Sequence, residues 1–461
     1  MDLFLTAIKS VFDNLGATIM LPIIIFLVGI ILGSKPGKAF RAGVVIGIAF
    51  IGINLVIGLM WGTLSEVGQA MVTNLGVQKD IVDVGWPGAA AIAYGTRVGL
   101  WVIPIALLVN IIMLALNWTK TLNIDVWNFW HFAYLGSLVA IISGSLAYGL
   151  IAAALAAVLA LFLADWTAPA VQKFYGLPGI SIPHLTSAPG VPFAIVTNWI
   201  IDRIPGVKDW KVDDEAIQKR LGVFGDPVIL GLIIGLVLGA LGFYNAGDAA
   251  TVATKILQTG MNLAAVMLLL PRMVQILMEG LIPISETARE FMNKKAPGRA
   301  LYIGLDSAIL TGHTAAITSS LVIVPIAILL SIILPGSRVI LFADLAVIPF
   351  VVAMYAPLMK GNIFRMIVAG TLELIAGFYI ATAAAATFTA SAIEAGFAIP
   401  EGTTKITSIA DGFMWTTAVF SGVGKLGWIG LVLFAAVLGV IIFFYKKNEK
   451  AWEKIAGAEQ E

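Results

Sequence analysis

Cysteine is absent from the 461 residues. Its absence excludes disulfides, thiolate metal sites, iron–sulfur clusters and thiol catalysis within this chain. Charge is scarce as well: 12% of residues are Asp, Glu, Lys or Arg, about half the share of an ordinary soluble domain. The net charge is +1, so there is no basic footprint for nucleic acid. Histidine occurs three times, as His131, His184 and His313. There is no Walker-type lysine loop, HExxH motif or nucleophile elbow, and no metal or cofactor is expected. The opening MDLFLTAIKSVFDNLG lacks a basic n-region and a small-residue cleavage site, so no removable signal peptide is expected.

What the chain has is apolar sequence: 59% hydrophobic residues and a mean hydropathy of +0.97. A soluble core cannot absorb that much without a lipid-facing surface. The expected class is an all-α polytopic membrane protein. About 11 transmembrane helices are expected, each of roughly 20 apolar residues, over 15–33, 42–61, 88–116, 127–146, 148–170, 226–245, 261–282, 303–333, 339–358, 363–390 and 414–445. Basic residues cluster at Lys35–Arg41, Arg203–Arg220, Arg289–Arg299 and Lys446–Lys454. With eleven crossings these share one side, joined by Lys120, Lys360 and Arg365, which gives about nineteen basic residues against about six opposite. The positive-inside rule then places the C-terminus in the cytoplasm and the N-terminus outside.

Two segments do not read as simple spans. Residues 176–200 carry Pro178, Pro183, Pro189 and Pro192, too dense for one helix. The stretch is also too apolar for an exposed loop, so a re-entrant hairpin is expected, its irregular backbone satisfied by protein or a wet cavity. The second candidate is 334–358, broken by Pro335, Pro349 and Pro357, with Asp344 at its centre. A faint echo links the openings of spans one and six, Pro22-Ile-Ile-Ile-Phe-Leu-Val and Pro227-Val-Ile-Leu-Gly-Leu-Ile. If spans 1–5 and 6–10 are repeats, five crossings per unit make them inverted, a pattern of many secondary transporters. Gly231, Gly235 and Gly239 sit four apart, a spacing for close helix approach read here as intramolecular packing.

Ionisable groups in membrane-grade sequence must face a polar cavity or a partner. Asp306 stands in GLDSAILTGHTAAITSS with His313 seven residues on, close to two helical turns, so both are expected on one helical face. A carboxylate accepts several hydrogen bonds, which suits a polyhydroxy solute. The plainer alternative for Asp306 is a buried acid paired with an arginine or capping a broken helix. His184, in PHLTS at the expected hairpin tip, adds an imidazole beside the hydroxyls of Thr186 and Ser187. His131 lies in DVWNFWHFAYLGS, where aromatics suit either an interfacial belt or a sugar surface. Trp86 opens the third span in VDVGWPGAAAIAYGT, a helix start with Pro87 beside it. Arg97, Arg272, Glu279 and Glu373 read as paired scaffold charges.

The motifs DVGWPGAAAIAYGT, NFWHFAYLGS, LPGISIPHLTSAPG, FGDPVILGLI, PISETAREF and GLDSAILTGHTAA resemble the membrane subunit, enzyme IIC, of bacterial galactitol phosphotransferase systems, over essentially the whole chain. More distantly, the chain is similar to the ascorbate transporter of the same superfamily. The resemblance implies a homodimer in the bacterial inner membrane, eleven spans in two inverted five-helix repeats with two re-entrant hairpins, and a V-shaped scaffold beside a mobile core. The division it implies is scaffold at 1–85 and 226–300, core at 86–202 and 301–411, a cytoplasmic loop at 203–225, and a last span with cytoplasmic tail at 412–461. It also implies a sugar site in which His131, His184 and Asp306 take the places of a span-four histidine, a hairpin histidine and a core aspartate. Leu185 and Leu135 stand where the ascorbate pattern has glutamines, which argues against ascorbate.

In that family the solute, here galactitol or a related hexitol, is phosphorylated as it enters. The phosphate arrives from a cysteine of a separate cytoplasmic subunit, IIB, itself served by IIA. The expected substrate-binding set is Asp306, His184, His131, Trp86, Thr186, His313 and Asp344, with Asp306 orienting or deprotonating the accepting hydroxyl, and elevator-like motion of the core. The alternative is an ion- or proton-coupled secondary transporter of a polyol or sugar acid, with the same acid and histidines as a proton relay. A passive channel is a third class.

Overall fold

The computed structural model describes residues 19, 22–74, 76, 79–210, 212, 226–295, 299–341, 343–399 and 404–458. The chain before the first span and most of the expected cytoplasmic loop, with Lys211, Lys219 and Arg220, lie outside the described residues.

The first half runs α1 (Pro22–Ile31), α2 (Pro36–Asn74), β1 (Ile81–Asp83), α3 (Gly85–Gly95), α4 (Arg97–Ala115), β2 (Thr121–Asn123), a 3₁₀ turn at Val126–Phe129, α5 (Trp130–Ser143), α6 (Leu146–Tyr175), β3 (Ile180–Ser181) and α7 (Gly190–Ile201). The second half also opens with two helices and then sets helices between and after three strands. It runs α8 (Pro227–Phe243), α9 (Ala249–Lys295), β4 (Tyr302–Gly304), a 3₁₀ turn at Ser307–Ile309, α10 (Thr314–Ile333), β5 (Val339–Ile340), a 3₁₀ turn at Leu345–Val347, α11 (Ile348–Ala353), α12 (Tyr355–Met359), α13 (Ile363–Glu394), β6 (Lys405–Thr407), α14 (Ile409–Gly412) and α15 (Trp415–Leu426). Two helices follow, α16 (Trp428–Lys447) and α17 (Glu449–Ile455). Among the described residues, 8 helices are long and apolar enough to cross a membrane, and three shorter helices are apolar too. The protein is an all-α polytopic membrane protein.

The strands are short but set the architecture. They form two three-stranded parallel sheets, ordered β5-β1-β6 and β2-β4-β3. Each sheet takes its central strand from one half of the chain and its flanking strands from the other. The halves are therefore locked by reciprocal exchange rather than merely stacked.

Helix ends follow their local chemistry. Asp226 accepts the amides of Val228 and Ile229, with Pro227 in the first turn of α8. Ser145 caps α6 at Tyr148, and Gly176 ends that helix in the left-handed conformation. Several expected spans are broken by the same logic. The 88–116 span divides at Thr96, whose side chain accepts from Gly99 and starts α4. The 414–445 span divides at Gly427, whose φ of +62° suits glycine. The 334–358 segment is broken as its prolines require. The place that β3 and α7 hold in one sheet, however, is held in the other by β6 through α15 (405–426), not by 334–358. Close helix approach is intramolecular: a Cβ on Gly235 would stand 2.7 Å from the backbone of Gly260 in α9.

Candidate substrate site

Strands β2, β4 and β3 lie side by side, so residues just past their ends converge. These are Asp125–Asn128 after β2, His184 and Thr186 after β3, and Asp306 after β4. With Trp86 after β1 and Asn54 and Trp61 of α2, they line a cavity of about 360 Å³. Tryptophans 61, 86, 127 and 130, with Phe50 and Phe350, supply its apolar walls.

Within this cavity the acids are held by neutral donors. The Asn128 amide donates to Asp306 Oδ2 at 2.8 Å and to Asp125 Oδ2 at 2.7 Å. Its own Oδ1 accepts from Trp130 Nε1 at 3.1 Å, which fixes which end of the amide faces the acids. Asp306 Oδ1 accepts the amide of Ala308 at 2.8 Å. His184 Nε2 stands 3.6 Å from the same oxygen, beyond hydrogen-bond range. Asp306 keeps 22% side-chain exposure against 6% for His184, so the carboxylate is the group that meets the cavity. No Lys or Arg is among the described residues lining it.

Behind His184 runs a buried line of polar groups. His184 Nε2 lies 3.2 Å from His131 Nε2, and His131 Nδ1 lies 2.7 Å from Asp411 Oδ2. Both side chains of the His131–Asp411 pair are fully buried. The His131 ring packs on Trp130 with centroids 4.0 Å apart. His131 thus backs the site instead of lining it.

Of the seven residues singled out from the sequence, Asp306, His184, Thr186 and Trp86 line the cavity. The expectation that Asp306 and His313 share a helical face is overturned. Asp306 caps the 3₁₀ turn at Ser307–Ile309, and His313 caps α10 by accepting from Ala315 at 3.1 Å. Two caps in succession end one helical turn and start another, so no continuous helix joins them. His313 packs on Phe174 and Tyr175, away from the cavity. Asp344 is also outside the lining: its carboxylate accepts from the amides of Trp86 (2.6 Å) and Ile409 (2.8 Å) and from Ser408 Oγ (2.5 Å). It is a tether between loops that follow β1 and β6. Glu373, expected to be paired, has neither carboxylate oxygen bonded among the described residues, whereas Arg97 pairs with Glu394 at 3.0 Å. Sequence reasoning missed Asp125, Asn128 and Asp411. The first two stand within the tryptophan-rich stretch already marked by His131; Asp411, in SIADGF, carries no comparable signal.

Residues 10–402 match the EIIC-GAT family model, described as the PTS system sugar-specific permease component. The chain is 40% identical over 383 residues to the PTS system galactitol-specific EIIC component of Escherichia coli (strain K12), covering 83% of each chain. The galactitol-specific EIIC component of Escherichia coli O157:H7 gives the same figures. A further relative from strain K12, provisionally named a permease IIC component, is 37% identical over 436 residues, covering 95% of this chain and 98% of the relative.

Proposed function

The chain belongs to the EIIC-GAT family of phosphotransferase-system sugar permeases, and from that premise we propose that it carries galactitol, or a closely related hexitol, to a phosphorylated IIB subunit at the cytoplasmic face of the inner membrane. The observation that carries the solute class is the lining of the cavity. Hydroxyl acceptors (Asp306, Asp125) and an imidazole (His184) stand among four tryptophans, with no Lys or Arg among the described residues of the lining. A polyol offers the matching alternation of O–H groups and C–H faces. A sugar acid would meet two carboxylates and no counter-charge.

The chemical step follows from position. The hydroxyl to be modified donates to Asp306. Its oxygen attacks phosphorus in line, the P–S bond to the IIB cysteine breaks, the thiolate leaves, and the hydroxyl proton passes to the Asp306 carboxylate. Once Asp306 releases that proton to solvent, its carboxylate repels the dianionic product. At about 5 Å and an effective dielectric of about 20, each unit-charge pair costs about 3 kcal/mol. That repulsion empties the site and makes uptake directional.

We read the reciprocal strand exchange as the junction of two inverted repeats. Because the cavity lies between α2 and the loops of the remaining core, sliding of that core past α2 in a homodimer supplies alternating access. The N-terminus lies outside and the C-terminus in the cytoplasm. Roles for His131, His313 and Asp344 beyond support are not needed. The buried His184–His131–Asp411 line favours one second reading, a proton-coupled transporter that leaves its solute unmodified. Titration calorimetry with a polyol panel, followed by incubation with phospho-IIB, tests the primary reading. Galactitol should bind and be phosphorylated; absence of binding to any hexitol would overturn it.

A further inference from the structure

Asp411 lies on α14, which follows β6 of the sheet opposite β2, β4 and β3. Its contact with His131 joins the two sheets. Through His131 it reaches His184, and through His184 the edge of the sugar site.

Proton accounting gives this line a direction. Asp411 Oδ1 is buried and has no hydrogen-bond partner among the described residues, and the His131–Asp411 pair is 0% exposed on both sides. A net charge confined there would be strongly penalised. The pair is neutral overall only when it holds two protons; with one within the Oδ2···Nδ1 bond, the other belongs on His131 Nε2, which faces His184 Nε2, and not on Asp411 Oδ1, which has no partner among the described residues. His131 Nε2–H then donates, and His184 Nε2 accepts. A neutral His184 whose Nε2 is an acceptor carries its proton on Nδ1. That nitrogen is buried and has no partner among the described residues, although its residue lines the cavity.

We propose that Asp411 is a positioning residue: by way of His131 it holds His184 as the Nδ1–H tautomer, a hydrogen-bond donor to a sugar oxygen, and leaves proton acceptance to the Asp306 carboxylate. The donor role rests on the sugar-binding reading above; the tautomer does not. His184 is then not the base of the phosphoryl transfer, because its lone pair is already engaged. A donor from His184 and an acceptor from Asp306, both of which line the cavity, would together discriminate hydroxyls from ethers and methylene groups, since only a hydroxyl satisfies both.

Three histidines make the test direct. Full-length protein labelled with ¹⁵N-histidine, in nanodiscs and without sugar, reports the protonated nitrogen of each ring, and single His→Gln variants at 131, 184 and 313 assign the signals. The expected wild-type result is Nε2–H at His131 and Nδ1–H at His184. In Asp411→Ala the His184 signature should move toward a mixture, and galactitol affinity should fall about three- to tenfold, the scale of one neutral hydrogen bond. Wild-type His184 protonated at Nε2 would overturn the proposal without any variant. So would unchanged histidine signals in a folded Asp411→Ala protein. The expected tautomers in a protein that fails to bind galactitol would instead count against the choice of solute.

Discussion

Asp306→Asn separates two roles that a single carboxylate combines. Asparagine keeps one oxygen for the Ala308 amide, so the 3₁₀ cap survives. Its other position becomes an NH₂ group facing Asn128 Nδ2, which now donates at 2.8 Å. Asn128 cannot simply turn over, because its oxygen is held by Trp130 Nε1 and its nitrogen also serves Asp125. A donor–donor contact in this half-buried site costs about 1–2 kcal/mol locally. The larger effect is on ligand. A hydroxyl hydrogen bond to a charged acceptor contributes about 1.5–3 kcal/mol, so galactitol affinity should fall about 10- to 150-fold. The phosphorylated product should respond in the opposite sense relative to galactitol, because removing one carboxylate removes about 3 kcal/mol of repulsion per unit-charge pair. Calorimetry with galactitol and galactitol phosphate on wild type and Asp306→Asn measures both. Galactitol binding within twofold of wild type, or an unchanged ratio of the two affinities, would refute the reasoning.

Asp344→Asn should act on stability instead, because one of the acceptors for Trp86, Ser408 and Ile409 becomes a donor. The cost is about 2–4 kcal/mol, read as a lowered Tm, and an unaltered Tm would contradict the tether. Gly136→Val should destabilise the α5–α6 contact by about 1–3 kcal/mol, since a Cβ there would lie 2.6 Å from the Gly149 carbonyl; native melting behaviour would show that the helices can part. At the surface, the hydrogen bond from Arg338 holds the Asp80 carboxyl below its usual value. A depressed folded-state value means that the stabilisation is present above about pH 4 and is lost as pH falls through that lowered value. The Tm gap between wild type and Asp80→Asn should therefore be present at pH 7 and close under strong acid; a gap that widens would reverse the sign.

The membrane class was legible because 12% charge and long apolar runs leave few alternatives. The break at 176–200 was legible because four prolines forbid a helix. The strand exchange was not, since strands of two or three residues are too short to show alternation. Asp306 and His313 misled through their spacing. The competing signal was present: an Asp before Ser-Ala-Ile and a His before Thr-Ala-Ala each supply a side-chain acceptor where a helix begins. Asp125 and Asn128 sat unweighed beside His131, because an acid beside an amide acquires meaning only when β2 and β4 pair and bring Asp306 alongside. Asp411 depends on contact between α14 and α5, 280 residues apart in sequence from its histidine, and local pattern carries no trace of it.

Galactitol uptake into proteoliposomes, with the cytoplasmic face exposed to phospho-IIB and no ion gradient, tests the central claim most directly. Labelled galactitol should cross and be recovered on the IIB side as the phosphate, with none accumulating when unphosphorylated IIB is supplied. Accumulation of free galactitol driven by a proton gradient, with no phosphoryl donor present, would contradict the account.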